Sequence, residues 1–330
     1  MRVLVTGCAG RLGSAACADL LSHGIAVRGL DLHPPAQVGD IEFHSCDLTA
    51  LTASESLAAL LEGIDAVLHL AAIPVPRLGT PPDIFDLNCA ATFRLFQACA
   101  DAGVGHVVAA SSINAIGYYF GRLPFELDYL PVDEAHPGTT SDPYSFSKQI
   151  TEQIADYFAR TSGIACRCLR FGAGLESLDA LREGFAQRLQ QARQQVESLG
   201  RLSNEDGVRE VDRLCHHFDE DRRSGQRSPA LTPEQRSLMG LRHNLFSFVE
   251  LGEACRAMRL ALTTPTSGSE TVFVVDRRNG LGLGAELLAR VMYPHVPIRQ
   301  PLVEDQSIVS WTAATQFGFE SQTPARLLLG

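Results

Sequence analysis

Tyr144 and Lys148 stand four residues apart, and Lys148 is the only lysine in a chain whose other 27 basic residues are arginine. On a helix the two side chains would share a face, with Cβ atoms about 5–6 Å apart. A phenol ordinarily holds its proton to about pH 10, too high for a base at neutral pH, and a neighbouring cation lowers that value. An ammonium is compact, carries three donors and can pass on a proton; a guanidinium is broad, planar and permanently charged. The pair therefore predicts proton transfer at a hydroxyl or carbonyl oxygen. Ser141 is the expected N-cap of the helix, with Pro143 in its first turn.

A second cluster would hold a partner for such chemistry. The apolar run at 2–6 leads into Gly7-Cys8-Ala9-Gly10-Arg11-Leu12-Gly13 and then a helical pattern. Between strand and helix, Gly7 permits the tight turn, Gly10 lets backbone approach a pyrophosphate, and Gly13 lets helix and strand pack closely. The helix N-terminus then offers free N–H groups to phosphate. Asp31 ends the next strand-like run, eighteen residues past Gly13. A carboxylate there accepts hydrogen bonds from both hydroxyls of an adenosine ribose and repels a 2′-phosphate, so NAD is expected over NADP. Asp47, closing a third run, would meet the adenine amine or cap a loop. Lys148 would bridge two ribose hydroxyls of the nicotinamide half while polarising Tyr144.

Other patterns read differently. Gly280-Leu281-Gly282-Leu283-Gly284 also precedes a helix, but it lacks a later acidic strand end and reads as a flexible loop. Cys215-His216-His217 is a poor metal set, because adjacent ligands do not easily close on one ion. Nine cysteines, an odd number without a CxxC pair, argue against a disulfide framework and a structural zinc site. Cys166 and Cys168 share a strand face and read as packing.

Apolar periodicity supplies the elements that position these residues. Strand-like runs at 2–6, 26–31, 41–47, 66–71, 106–111 and 165–171 alternate with helical patterns at 12–22, 51–62, 83–102 and 143–161. That alternation predicts an α/β fold: a Rossmann-type doubly wound parallel sheet, covered on both faces, over 1–171. Residues 172–244 form a charged helical insertion or substrate-loop region. Its stretch 177–240 carries few apolar residues against 10 arginines and 11 acids, which predicts one or two solvated helices with a loose tip near 222–229. A smaller α/β substrate lobe at 245–330, partly interleaved with the first domain, would hold a strand leading into a helix over 245–262. A strand at 271–276, a helix at 284–292 and a last helix over 305–319, ending at Gly318, would follow.

Hydrophobic content of 45% and charged content of 20% are ordinary for a soluble globular protein. A net charge of −10 disfavours a nucleic-acid partner. MRVLVTG shows no charged-then-apolar leader, and the most apolar stretch, 66–76, is too short to span a bilayer. A cytoplasmic protein with no membrane association is the expectation.

Together, TGCAGRLG, Asp31, HLAAI (69–73), Asn88 in DLNCAATFRLFQAC, VVAASSINAIG (107–117) and Tyr144-x-x-x-Lys148 resemble the extended short-chain dehydrogenase/reductase family, of the NAD-dependent epimerase/dehydratase type. The resemblance is good over 1–171 and loose over 245–320. It implies a Ser–Tyr–Lys site in which Ser112, with Ser111 as runner-up, holds the substrate oxygen and Tyr144 moves the proton. It implies NAD held by Gly7, Gly10, Arg11, Leu12, Gly13, Asp31, Asp47, Leu48, Leu70, Ala71, Ala72, Asn88, Tyr144, Lys148 and Phe171. It also implies a homodimer through the helices at 83–102 and 143–161.

Departures narrow the reaction. Dehydratases of the family carry Asp-Glu after the serine or threonine, where Ile113-Asn114 stand here. Nucleotide-sugar epimerases commonly carry an Arg-Pro-x-Asn type loop, where Arg170-Phe171-Gly172-Ala173-Gly174 stands here. ASSINAIGYY also resembles uronate dehydrogenases, yet Ile113 and Pro74 replace residues that are typically polar in them. The expected function is an NAD-dependent oxidoreductase or epimerase acting at a secondary alcohol or carbonyl of a sugar-like small molecule. The alternative is a dinucleotide-sensing regulator that kept the fold and lost the chemistry.

Overall fold

The computed structural model describes residues 1–36, 39–50 and 52–323. The first half builds in chain order as strand β1 (Arg2–Thr6), helix α1 (Arg11–Ser22), β2 (Ala26–Asp31), β3 (Glu42–Ser45), α2 (Ala53–Leu60) and β4 (Ala66–His69). There follow α3 (Pro81–Phe85), α4 (Ala91–Ala102), β5 (His106–Ser112), α5 (Pro143–Ser162) and β6 (Ala165–Phe171). A π turn, Asp86–Ala90, joins α3 to α4, so the predicted helix over 83–102 is continuous but locally underwound by one extra residue. Residue 51 of the predicted helix 51–62 and residues 324–330 of the predicted last lobe lie outside the described residues.

The strands form one parallel sheet in the order β3-β2-β1-β4-β5-β6-β7, where β7 is Ser269–Val274. Both faces are covered, which is why the strands read as continuous apolar runs. Strand alternation sorts their side chains. Val3, Val5, Leu68 and Leu169 meet Ala16 and Leu20 of α1 and Ala257 and Met258 of a later helix. Leu4, Val67 and Val107, with Cys166 and Cys168, pack instead against Leu57 of α2, Phe96 of α4 and Phe158 of α5.

The chain then departs from expectation. The stretch 177–240 is not a solvated insertion. It contains α6 (Leu178–Gly184), α7 (Ala186–Leu199) and α8 (Asn204–Ser224), and α9 (Pro233–His243) runs just past it. Leu189, Val196, Val211, Leu214, Leu238 and Met239 are buried in a core of their own, shared with Ile113 and Ile116. The apolar residues are sparse but spaced three and four apart: Leu189, Ala192 and Val196 on α7, then Val211, Leu214 and Phe218 on α8. That spacing makes one narrow buried stripe per helix, and the charges take the rest.

Two further expectations are corrected. Residues 245–250 are not a strand, because Leu245 and Phe246 turn the backbone to positive φ (57° and 48°) and only Phe248 makes a parallel bridge, to Ala173. The chain then enters α10 (Leu251–Thr263), and α11 (Ala285–Met292) follows β7. Nor is 305–319 a helix. The β-branched Ile308 and Val309 lie alongside Val132, whose N–H donates to the Ile308 carbonyl at 2.8 Å, and only Ala313–Phe317 coils, as a 3-10 turn before Gly318. At α5 the N-cap is Asp142, which accepts from the Ser145 N–H at 2.9 Å; Ser141 instead accepts from Leu123 N–H.

Candidate active site

The glycine turn is built as its sterics require. Gly7 has φ of 73°, and a Cβ on it would lie 2.7 Å from the Ala71 nitrogen. A Cβ on Gly13 would collide with the Gly7 carbonyl. Gly10 is the N-cap of α1, with no side chain over the free N–H groups of the first turn. A groove of ≈ 790 Å³ runs from this turn along the carboxyl ends of β1, β2 and β4. Gly7, Gly10, Asp31, Asp47, Leu48, Leu70, Ala71 and Ala72 line it. A turn that admits no side chain, a helix N-terminus and a carboxylate at the second strand's end fit a dinucleotide such as NAD.

Asp31 has a second task. One oxygen accepts from the Ala9 N–H at 3.0 Å and the other from Leu32 N–H at 2.7 Å, so the carboxylate also pins the turn. Asp31→Asn retains an acceptor for Ala9 and removes the charge. It should weaken NAD about tenfold and NADP much less, since one charged hydrogen bond is worth about 1.5–3 kcal/mol. Calorimetry with both dinucleotides checks this; equal losses would remove Asp31 from cofactor selection. Asp47 is tied to the Thr49 N–H and hydroxyl at 2.8 and 2.6 Å, which lowers its pKa, so it caps its loop as well as lining the groove.

Other expected residues turn their side chains elsewhere. Arg11 is exposed and ion-paired with Glu176, Leu12 packs beside α10, and Phe171 is buried in the sheet core. Asn88 is buried behind the groove: its amide oxygen accepts from Ile73 N–H at 2.8 Å, and its nitrogen donates to the Ile73 carbonyl and to Ser147, both at 3.0 Å. It thereby fastens the inner end of the groove to α5, one residue before Lys148.

Ser112, Tyr144 and Lys148 are all buried at the ends of β5 and α5. Ser112 accepts from the backbone and side-chain nitrogens of Asn114, at 3.1 and 3.3 Å. Its single proton is left to donate elsewhere. Ser111 is committed: its hydroxyl donates to Glu152 at 2.6 Å. The expected lowering of the phenol is not found. Burial pushes Tyr144 up to about 12, with the Ser112 hydroxyl beside it acting in the opposite sense. Lys148 Nζ donates to the Ala110 carbonyl at 2.8 Å and lies 5.7 Å from the Tyr144 ring centroid. Burial pulls this lysine down to about 8.

Three supporting elements were not read from the sequence. Asn114 was noted only for lacking a carboxylate. Glu152 and Arg170 form a buried bidentate pair, 2.8 Å on each arm, directly behind the lysine. His69, held near pKa 3 by burial and then by Lys148, links Thr6 (2.7 Å) to Thr92 (2.8 Å), and Thr6 Oγ1 accepts from Leu70 and Ala71 N–H at 3.2 Å each. A neutral imidazole thus fixes the groove wall at Ala71.

The decoys resolve simply. The loop at 280–284 is closed by Asn279, whose amide nitrogen donates to the Leu283 carbonyl at 2.7 Å while its oxygen accepts from Leu281 and Leu283 N–H. His216 and His217 cluster with Glu220 at the surface, and Cys215 lies apart from them in a cavity wall. Among the described residues, no helix is long and apolar enough to cross a membrane.

Residues 3–177 match the NAD dependent epimerase/dehydratase family, and the chain belongs to it. The match ends where α6 begins. A uronate dehydrogenase of Pseudomonas syringae pv. tomato is 30% identical over 174 residues, 52% of this chain and 59% of that enzyme. A UDP-glucose 4-epimerase of Lactobacillus helveticus is 33% identical over 177 residues, 52% of this chain and 51% of its own length. The alignments thus span only half to three-fifths of these relatives. A short-chain dehydrogenase/reductase superfamily protein from Agrobacterium tumefaciens, solved with bound NAD, superposes with a TM-score of 0.65 at 24% identity, covering 100% of this chain and 95% of that one. At that identity the superposition speaks for the fold.

Proposed function

We propose that this protein is an NAD-dependent oxidoreductase or epimerase acting at a secondary alcohol or carbonyl of a sugar-like small molecule. The observation that carries this reading is the buried Ser112–Tyr144–Lys148 group, joined through Asn88 to the inner end of the dinucleotide-shaped groove. When bound, the nicotinamide supplies the hydride acceptor or donor. The chain's own residues manage the oxygen. Ser112 donates its free proton to the substrate oxygen, Tyr144 exchanges a proton with that oxygen, and Lys148 with the Glu152–Arg170 pair behind it sets the local charge.

Substrate would enter from a cleft of ≈ 840 Å³ between the β6 end, at Ala173 and Gly174, and helices α7 to α9. Tyr119 lines this cleft, and Tyr119, Phe120 and Tyr144 are successive ring contacts at 4.7 and 5.6 Å. The cleft's far wall includes Arg188, from a helix that lies beyond the family match, while Arg236 beside it is ion-paired with Asp221. Its specificity is therefore this chain's own, and sugar acids are favoured over neutral sugars. A panel of hexuronates, neutral hexoses and UDP-hexoses, each scored for NADH formation and for epimer by NMR, tests the reading. Turnover of a uronate with net reduction is expected; no turnover of any member with NAD demonstrably bound would contradict it. The exposed ring pair Phe93 and Tyr157, 5.8 Å apart on α4 and α5, supports a homodimer through those helices.

A further inference from the structure

A second cavity, of ≈ 280 Å³, lies beyond the loop that follows Ser112, between α8, α9 and the chain after α11. It shares no lining residue with the dinucleotide groove, and it shares only Arg222 with the larger cleft. Its charged groups cancel in pairs with one inner exception. Arg222 is paired with Asp219, and His295 meets Asp212 at 2.9 Å. Arg242, 9% exposed, has no carboxylate partner among the described residues. Its Nε donates to the Met292 carbonyl at 2.7 Å and one terminal nitrogen donates to the Tyr118 hydroxyl at 2.6 Å. The rings of Tyr293 and Tyr118 face the guanidinium at 4.7 and 5.8 Å. A guanidinium has five N–H donors, so most remain unused beside the cavity. A buried cation without a counter-ion is costly, and an anion in the cavity would remove that cost.

We propose that this cavity binds a small organic carboxylate, its charged end on Arg242 and its apolar end among Tyr118, Phe125 and Val296. The small volume, and an apolar part of the lining confined to a few residues such as Tyr118, Phe125 and Val296, favour a monocarboxylate over a nucleotide or sugar phosphate, and the exposed Glu126 at the rim disfavours a second negative charge. The site is placed to speak to the chemistry. Tyr118 is gripped twice, by Arg242 at its hydroxyl and by Arg222 at its carbonyl (2.7 Å), and two residues on Phe120 rests edge-on against Tyr144.

Benzoate is the probe, with benzamide as its neutral counterpart, titrated by calorimetry into the full-length protein with and without saturating NAD. Benzoate should bind at least tenfold tighter than benzamide, equally with and without NAD, and Arg242→Gln should weaken it tenfold or more. Tyr118→Phe, which releases one guanidinium N–H and leaves Arg242 in place, should bind benzoate at least as tightly as the unaltered protein. That variant keeps the proposal testable if Arg242→Gln does not fold. Benzamide binding as well as benzoate, displacement of benzoate by NAD, or weaker binding in Tyr118→Phe would each overturn the assignment. No binding at millimolar benzoate would overturn it too. None of these readouts involves turnover, so the proposal stands or falls separately from the proposed reaction.

Discussion

Tyr144→Phe should lower turnover about 10²–10⁴-fold while leaving NAD affinity within about twofold. The substitution removes one oxygen from a ring that is 7% exposed and held edge-on by Phe120, so the surrounding shape is retained. What is lost is the phenol proton beside the Ser112 hydroxyl. The direction of transfer matters. Burial holds the phenol's pKa near 12, so the unliganded site keeps the proton on Tyr144 and is set to donate at neutral pH. Alcohol oxidation requires the reverse, and its kcat/KM in the unaltered protein should rise as pH increases above neutrality. Carbonyl reduction should lack that rise. Calorimetry with NAD and initial rates on whichever panel member is turned over measure both parts. Turnover surviving within tenfold in Tyr144→Phe would take the phenol out of the mechanism.

The parts of this molecule that were legible in the sequence are those set by local geometry. Gly7 and Gly13 are legible because a side chain at either would strike backbone that lies immediately against the turn. Tyr144 and Lys148 are legible as neighbours because four residues on a helix settle the matter. The six runs that became β1 to β6 are legible because a sheet covered on both faces needs apolar side chains on both. What was not legible joins distant segments. Glu152 comes from α5, Arg170 from β6 and Ser111 from β5, and only the parallel register that sets Ser111 beside Arg170 brings them together. The helices at 178–243 are hard to read from sequence for another reason. Their composition is that of a solvated segment, and only the three-and-four spacing of a few apolar residues reveals a buried stripe. Leu245 and Phe246 looked like strand because their side chains suit one; their positive φ comes from the turn that closes α9, which side-chain type does not report.

The second large effect is expected at the single lysine. Lys148→Arg, which keeps formal charge, should cost at least about 10²-fold in turnover and on the order of 3 kcal/mol in stability. The reason lies in what surrounds the ammonium. Lys148 is 5% exposed and spends one donor on the Ala110 carbonyl, and the nearby carboxylate, Glu152, is already engaged on both oxygens by Arg170. A guanidinium placed there would be broader, would find no free counter-ion, and could not shed its proton to escape the penalty. Lysine can. Its pKa falls from 10.5 to about 8 through burial, so the charge cost is borne below pH 8 and is progressively relieved as pH rises towards 10.5, where the unfolded chain also loses the proton. Unfolding free energy should therefore increase with pH across that window, and Lys148→Met should lack this increment. Because the chain has one lysine, [13C]lysine labelling yields one side-chain signal, and its midpoint reads the shift directly. A midpoint near 10.5, or a Lys148→Arg protein with full turnover and unchanged stability, would show that this position asks only for positive charge.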